Sequence, residues 1–153
     1  MLLVSVVMGS ESDAKLMQAT LEVLDSLGIG YEVNVISAHR TPEKARQFAL
    51  SVQERGIEVI IAAAGGAAHL AGVLASWTVL PVIGVPLAAS EFKGLDALLS
   101  TVQMPAGIPV ATVAVGGTGA KNAAYLAAEI LGLKYNEIRN AYQKYRGELR
   151  GES

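Results

Sequence analysis

Tyr31-Glu32-Val33-Asn34-Val35-Ile36-Ser37-Ala38-His39-Arg40-Thr41-Pro42 contains one complete strand-to-helix junction. Residues 31–36 read as a buried strand. Thr41 and Pro42 read as a helix start, with threonine as N-cap and proline at the first helical position, where its missing N–H costs no bond. Between the two elements stand His39, one of only two histidines in the chain, and Arg40. The pair is held at the carboxyl end of a strand, where open α/β sheets bind their ligands.

The same alternation extends in both directions. Residues 2–8 form a continuous apolar run, as expected of a strand covered on both faces. Gly9-Ser10-Glu11-Ser12-Asp13 turns into a helix that runs to about residue 27, with Leu16, Ala19, Thr20, Val23, Leu24 and Leu27 on one face. Ser10 and Asp13 have the spacing of a capping box. Further strands are expected at residues 31–37, 57–63, 81–85 (closed by Pro86) and 110–115. Helices are expected at 42–55, from the turn at 64–72 to about 78, at 94–103 and at 120–131. A last polar helix, at about 135–150, lies outside or reaches a neighbour. Five strands joined by helical crossovers imply a three-layer, doubly wound α/β fold with a parallel sheet and one extra C-terminal helix, and the strand order is taken as the flavodoxin-like 2-1-3-4-5. No shift in composition breaks residues 1–153 into more than one domain.

Composition narrows the function. Net charge is −2 and no long basic run occurs, so the footprint of a nucleic-acid binder is missing. There is no cysteine, which removes disulfides and thiolate chemistry and suits a reducing cytoplasm. The apolar start lacks a basic flank and runs into Gly9-Ser10, so it reads as a strand and not a signal peptide, and no segment reads as a membrane span. Apolar residues make up 52% of the chain and charged residues 17%. That excess of apolar surface points to subunit interfaces and a homo-oligomer.

With this strand order the turns after strands one, two and three converge on one cleft. Gly9 and Ser10 precede a helix, where backbone N–H groups and the Ser10 hydroxyl can hold a phosphate. Asp13 either binds a ribose hydroxyl or caps the helix. Arg40 either pairs with a phosphate or carboxylate or makes a surface salt bridge. Gly65-Gly66-Ala67-Ala68 either lets backbone approach a ligand or packs helix on sheet. The first turn lacks the G-x-G-x-x-G of dinucleotide sites, no Walker lysine follows Gly116-Gly117-Thr118-Gly119, and no G-x-S-x-G elbow exists. His39 and His69, on separate turns without a carboxylate cluster, make a poor metal set. What remains is a mononucleotide-sized pocket equipped to move protons.

Five blocks carry a resemblance. Met8-Gly9-Ser10-Glu11-Ser12-Asp13, Ser37-Ala38-His39-Arg40-Thr41-Pro42, Ala64-Gly65-Gly66-Ala67-Ala68-His69-Leu70, Pro81-Val82-Ile83-Gly84-Val85-Pro86, and Ser100-Thr101-Val102-Gln103-Met104-Pro105 with Pro109-Val110-Ala111-Thr112 occur in order. Over roughly residues 4–131 the chain closely resembles the 5-(carboxyamino)imidazole ribonucleotide mutases, also called the catalytic subunit of phosphoribosylaminoimidazole carboxylase. The resemblance implies a flavodoxin-like fold and a cofactor-free, metal-free transfer of a carboxylate from the exocyclic amine of an aminoimidazole ribonucleotide to a ring carbon, through CO2 held in a closed pocket. It implies His39 as general acid and base, Ser10 and Arg40 at the phosphate and Asp13 at the ribose. It further implies substrate contacts from Gly9, Ser12, Ser37, Ala38, Gly65, Gly66, Ala67, His69 and Leu70. It also implies a cytoplasmic homo-octamer working with the ATP-dependent carboxyaminoimidazole ribonucleotide synthase. Direct carboxylation of aminoimidazole ribonucleotide by CO2, or an inactive nucleotide-binding module, are the alternatives. Ala71 stands where the family usually has proline, and residues 87–93 are less typical than their surroundings.

Overall fold

A computed structural model describes residues 1–152. Strands β1 (Leu2–Met8), β2 (Gly30–Val35), β3 (Val59–Gly65), β4 (Val82–Leu87) and β5 (Ala111–Thr112) form one parallel sheet in the order β2-β1-β3-β4-β5. Val6 of β1 pairs with Val33 on one side and Ile61 on the other, and Ile61 leads on to Ile83. This is the doubly wound, flavodoxin-like arrangement expected above. No helix among the described residues is long and apolar enough to cross a membrane.

Helices α1 (Ala14–Ser26) and α5 (Gly117–Gly132) cover one face of the sheet, and α6 (Asn136–Leu149) lies outside α5. Ala120, Ala123, Ala124, Ala127 and Ala128 are all buried, and these short side chains let α5 sit close to α1 and the strands. The centre of the α1 face is Met17 with Thr20, Val23 and Leu24, whereas Leu16 and Ala19 flank it. The Thr20 hydroxyl, fully buried, donates to the carbonyl of Ala120 at 2.7 Å. Helices α2 (Pro42–Ser51), α3 (Leu70–Trp77) and α4 (Leu95–Val102) cover the other face over Ile60, Ala62 and Val82.

Several local expectations are corrected. The strand at 31–36 is not buried: β2 is an edge strand, partly exposed along its length, with only the following Ile36 buried. It is tied down by Glu32, which accepts from Arg55 at 2.5 Å, Ser5 at 3.0 Å and Asn34 at 3.0 Å. Burial pushes the Glu32 carboxyl up, but these three donors outweigh it and hold the group below its ordinary value. Thr41 makes no side-chain cap; its hydroxyl turns back to the carbonyl of Ser37 at 2.8 Å. Helix α2 stops at Ser51, and a short 3-10 turn at Gln53–Arg55 follows. Pro86 does not close β4 but lies within it. Its carbonyl accepts from Gly116 at 2.9 Å, so its nitrogen faces the same side, beyond the end of β5, where no ladder bond is lost. Strand β5 is only two residues long, and α5 begins at Gly117, three residues before the expected start.

Candidate active site

The turns after β1, β2 and β3 meet at the carboxyl edge of the sheet and enclose a cleft of about 330 Å3. Its walls are Gly9, Ser10, Ser12 and Asp13; Ser37, Ala38, His39 and Arg40; and Ala64, Gly65, Gly66, Ala67, His69, Leu70 and Ala89. Every residue singled out from the sequence as a site residue lines this one space except Ala68, which is buried behind it. The sequence reading missed Ala89, which comes from the loop after β4. It faces Gly65 so closely that a Cβ on Gly65 would lie 2.5 Å from that of Ala89. Gly66 has φ +62°, a conformation that favours glycine, and it aims the chain into α3. A larger cavity of about 750 Å3 lies at the opposite, amino edge of the sheet between Trp77, Leu80 and Pro109. None of its lining residues is ionisable, whereas the smaller cleft holds His39, His69, Asp13 and Arg40.

The first turn is stiffened from within. Gly9 donates its N–H to Ala63, Asp13 to the carbonyl of Ser10, and Ser12 to the Ser10 hydroxyl. Those three backbone donors are engaged, and the hydroxyls of Ser10 and Ser12, 2.9 Å apart, add to the phosphate-holding equipment expected at this turn. Ser10 caps the short 3-10 turn Glu11–Asp13 in place of the expected α-helical box. Burial raises the Asp13 carboxyl above its ordinary value, and the backbone N–H of Ser10 pulls it partly back.

The second turn folds around Ser37. Its hydroxyl accepts the N–H of Arg40 at 3.2 Å, and its carbonyl accepts the N–H of Thr41 at 2.9 Å. This brace presents His39 and Arg40 outward. Among the described residues Arg40 has no ion-pair partner; nearby Glu43 is occupied by Arg46 and Gln47. The surface salt bridge offered as the alternative for Arg40 is thus not formed, and its guanidinium is available to the cleft.

The third turn is clamped by α4. Ala68 donates its N–H to the Ser100 hydroxyl at 2.9 Å, and Thr101 donates to the Ala68 carbonyl at 3.3 Å. His69 follows directly. Its Nδ1 lies 2.7 Å from Nε2 of His39, with the rings edge to face and their centroids 4.8 Å apart. Nothing in the spacing along the chain announces this contact, because the two residues lie thirty positions apart on separate turns. Among the described residues no three His, Cys, Asp or Glu side chains gather as a metal set. The titratable groups of the cleft are two paired imidazoles, one part-buried carboxyl and one free guanidinium. Such a set binds an anionic ligand and moves protons.

Known proteins share both sequence and fold. A protein of Pyrococcus horikoshii named N5-carboxyaminoimidazole ribonucleotide mutase is 56% identical over 148 residues, covering 97% of this chain and 82% of its own. A Pseudomonas aeruginosa protein of the same name is 56% identical over 144 residues, covering 94% and 88%. The crystal structure of Treponema denticola PurE superposes with a TM-score of 0.86 at 29% identity, covering 99% of this chain and 93% of the other. Residues 3–152 match the family described as AIR carboxylase, and the chain belongs to that family.

Proposed function

We propose that this chain is an N5-carboxyaminoimidazole ribonucleotide mutase of purine biosynthesis. It converts 5-(carboxyamino)imidazole ribonucleotide to 5-amino-1-(5-phosphoribosyl)imidazole-4-carboxylate. The observation that carries the site assignment is the convergence of three turns on a single cleft holding His39, His69, Asp13 and Arg40. Relatives of this name are 49–58% identical to the chain.

In this reading Arg40 with the Ser10 and Ser12 hydroxyls takes the substrate phosphate, and Asp13 takes the ribose. Gly9, Ser37 and Ala38 shape the entrance. Gly65, Gly66, Ala67 and Leu70 wall the imidazole and CO2, where small side chains keep water from the intermediate. His39 gives a proton to the exocyclic nitrogen as the carbon–nitrogen bond breaks. It takes one back from the ring carbon after the carbon–carbon bond to CO2 has formed. The proton count balances over the cycle, so the residues need only hold the nucleotide, retain CO2 and return one proton.

The whole chain acts as one catalytic unit in a cytoplasmic homo-octamer, supplied by the ATP-dependent carboxyaminoimidazole ribonucleotide synthase. Support for assembly comes from exposed apolar side chains in two groups: Leu50, Trp77 and Val79 at the amino edge, and Phe92 just before α4 with Leu95, Leu99 and Val102 along it. Val79 is 92% exposed, a poor arrangement for an isolated subunit. Light scattering at micromolar concentration should give a large particle; a monomer would sink the octamer.

The decisive assay offers the purified protein each substrate in turn. Turnover of the carboxyamino ribonucleotide without ATP supports the mutase. Turnover only of aminoimidazole ribonucleotide with CO2 would replace it with the carboxylase that the family description names. Turnover of neither would leave an inactive nucleotide-binding module.

A further inference from the structure

The contact between His39 and His69 constrains the chemistry more tightly than the presence of two histidines does. Nε2 of His39 meets Nδ1 of His69 at 2.7 Å, and neither ring has another hydrogen-bond partner among the described residues. Two imidazoles joined this way share one N–H. Either His39 donates and His69 accepts, or the reverse. In the first case Nδ1 of neutral His39 carries a free lone pair and can act as a base. In the second, Nδ1 of His39 holds the proton and Nε2 is covered, so the ring has no nitrogen with which to receive one. Only the first suits a group that must give a proton and take it back.

We propose that His69 is a positioning residue that accepts the Nε2–H of His39 and thereby makes Nδ1 of His39 both the acid and the base of the reaction. The inference rests on the assignment of His39 as proton carrier. In the first half-reaction the carbon–nitrogen bond breaks, its electron pair stays on the exocyclic nitrogen, and that nitrogen takes the proton from Nδ1 of the His39 imidazolium. His39 is left as the Nε2–H tautomer, still bonded to His69. In the second half-reaction the ring carbon bonds to CO2 and its proton returns to the same Nδ1. No ring flip or tautomer exchange intervenes while CO2 waits. A carboxylate does this service for the histidine of a catalytic triad. Here a neutral imidazole does it, which adds no negative charge beside a carboxylate substrate.

The surroundings match the role. His69 stands on the stiffer support, because the residue before it is clamped at both N–H and C=O by Ser100 and Thr101. Its own carbonyl accepts from Val73 at 2.9 Å. The other charged groups facing the pair across the cleft are Asp13 and Arg40, and neither is bonded to an imidazole.

The chain contains only two histidines, so magic-angle-spinning NMR of the [15N]histidine-labelled, substrate-free enzyme in mildly alkaline buffer reads both rings at once. The expected spectrum has His39 protonated on Nε2 and His69 protonated on Nε2, with the Nδ1 of both bare. His39 protonated on Nδ1 would overturn the proposal. In kinetics, His69→Ala should lower kcat on the order of 10²-fold with KM unchanged, the smaller end of what a misdirected general acid–base loses. His69→Asn places an amide oxygen near the lost Nδ1 and should recover most of kcat. Wild-type kcat in the alanine variant, or an asparagine variant no better than alanine, would also overturn it. If the enzyme instead carboxylates aminoimidazole ribonucleotide directly, the mutase assignment fails. The tautomer spectrum and the alanine–asparagine comparison on that substrate still decide the role of His69.

Discussion

The hydroxyl of Ser100 accepts the backbone N–H of Ala68 at 2.9 Å, which couples α4 to the turn that carries His69. Ala68 is buried, so its N–H has no water to fall back on. Ser100→Ala should destabilise the fold by about 1–3 kcal/mol, the cost of an orphaned buried donor. It should also lower kcat more than it raises KM, because the histidine partner shifts. Denaturant melts and steady-state kinetics on one preparation check both, and an unchanged midpoint would remove the clamp.

His39→Asn should reduce kcat by about 10²–10⁴-fold, the range of a positioned general acid–base. Substrate binding, measured by calorimetry, should survive, since phosphate and ribose are held by other residues. Normal turnover would take His39 out of the mechanism.

Arg40 is the only guanidinium facing the cleft and is unpaired among the described residues. Arg40→Ala should weaken substrate binding by about 10- to 100-fold, as expected for hydrogen bonds to a charged group. The remaining affinity should depend less on salt than that of the wild type. Arg40→Lys should recover the charge but not the forked geometry, and so only part of the affinity. An Arg40→Ala enzyme with unaltered KM and salt response would show that the phosphate lies elsewhere.

Asp13 titrates above its ordinary value of 3.8 because it is part-buried, a shift the Ser10 N–H only partly reverses. Its contribution to stability is therefore fully present below the unfolded value and is lost as pH rises through the folded one. At neutral pH its charge is a net cost to folding, retained for binding. Asp13→Asn should melt no lower than wild type at neutral pH and should lose any advantage in acid, while KM rises about tenfold or more. Thermal scans across pH with parallel kinetics test this; a neutral-pH Tm well below wild type would contradict it.

The strand–helix alternation and the three exit turns were legible because their signals are local, whereas the order 2-1-3-4-5 that makes the turns converge comes from the doubly wound pattern and is borne out by the sheet. Continuous apolar runs mark β1 and β3, and glycine or capping residues mark each exit toward the carboxyl edge. The failures arose where neighbours decide. Val33 and Val35 look like core residues, yet the edge position of β2 leaves Val33 43% exposed. Pro86 looks like a strand breaker, but the shortness of β5 leaves no acceptor for its absent N–H to miss. Met17 is missing from the face expected for the first helix, yet it is buried because α5 brings short alanines to that side. The histidine pairing depends on where two turns end in space, and no spacing along the chain encodes it.

The position of β2 at the margin has one more consequence. Its backbone is bonded to β1 alone, whereas β3 is bonded on both sides. His39 thus hangs from the outermost strand and His69 from an interior one, so the two halves of the pair keep different clocks. Amides of β2 should exchange with solvent through brief local openings, while those of β3 wait for much larger ones. Each opening of the edge would part the two imidazoles while the interior strands stayed closed.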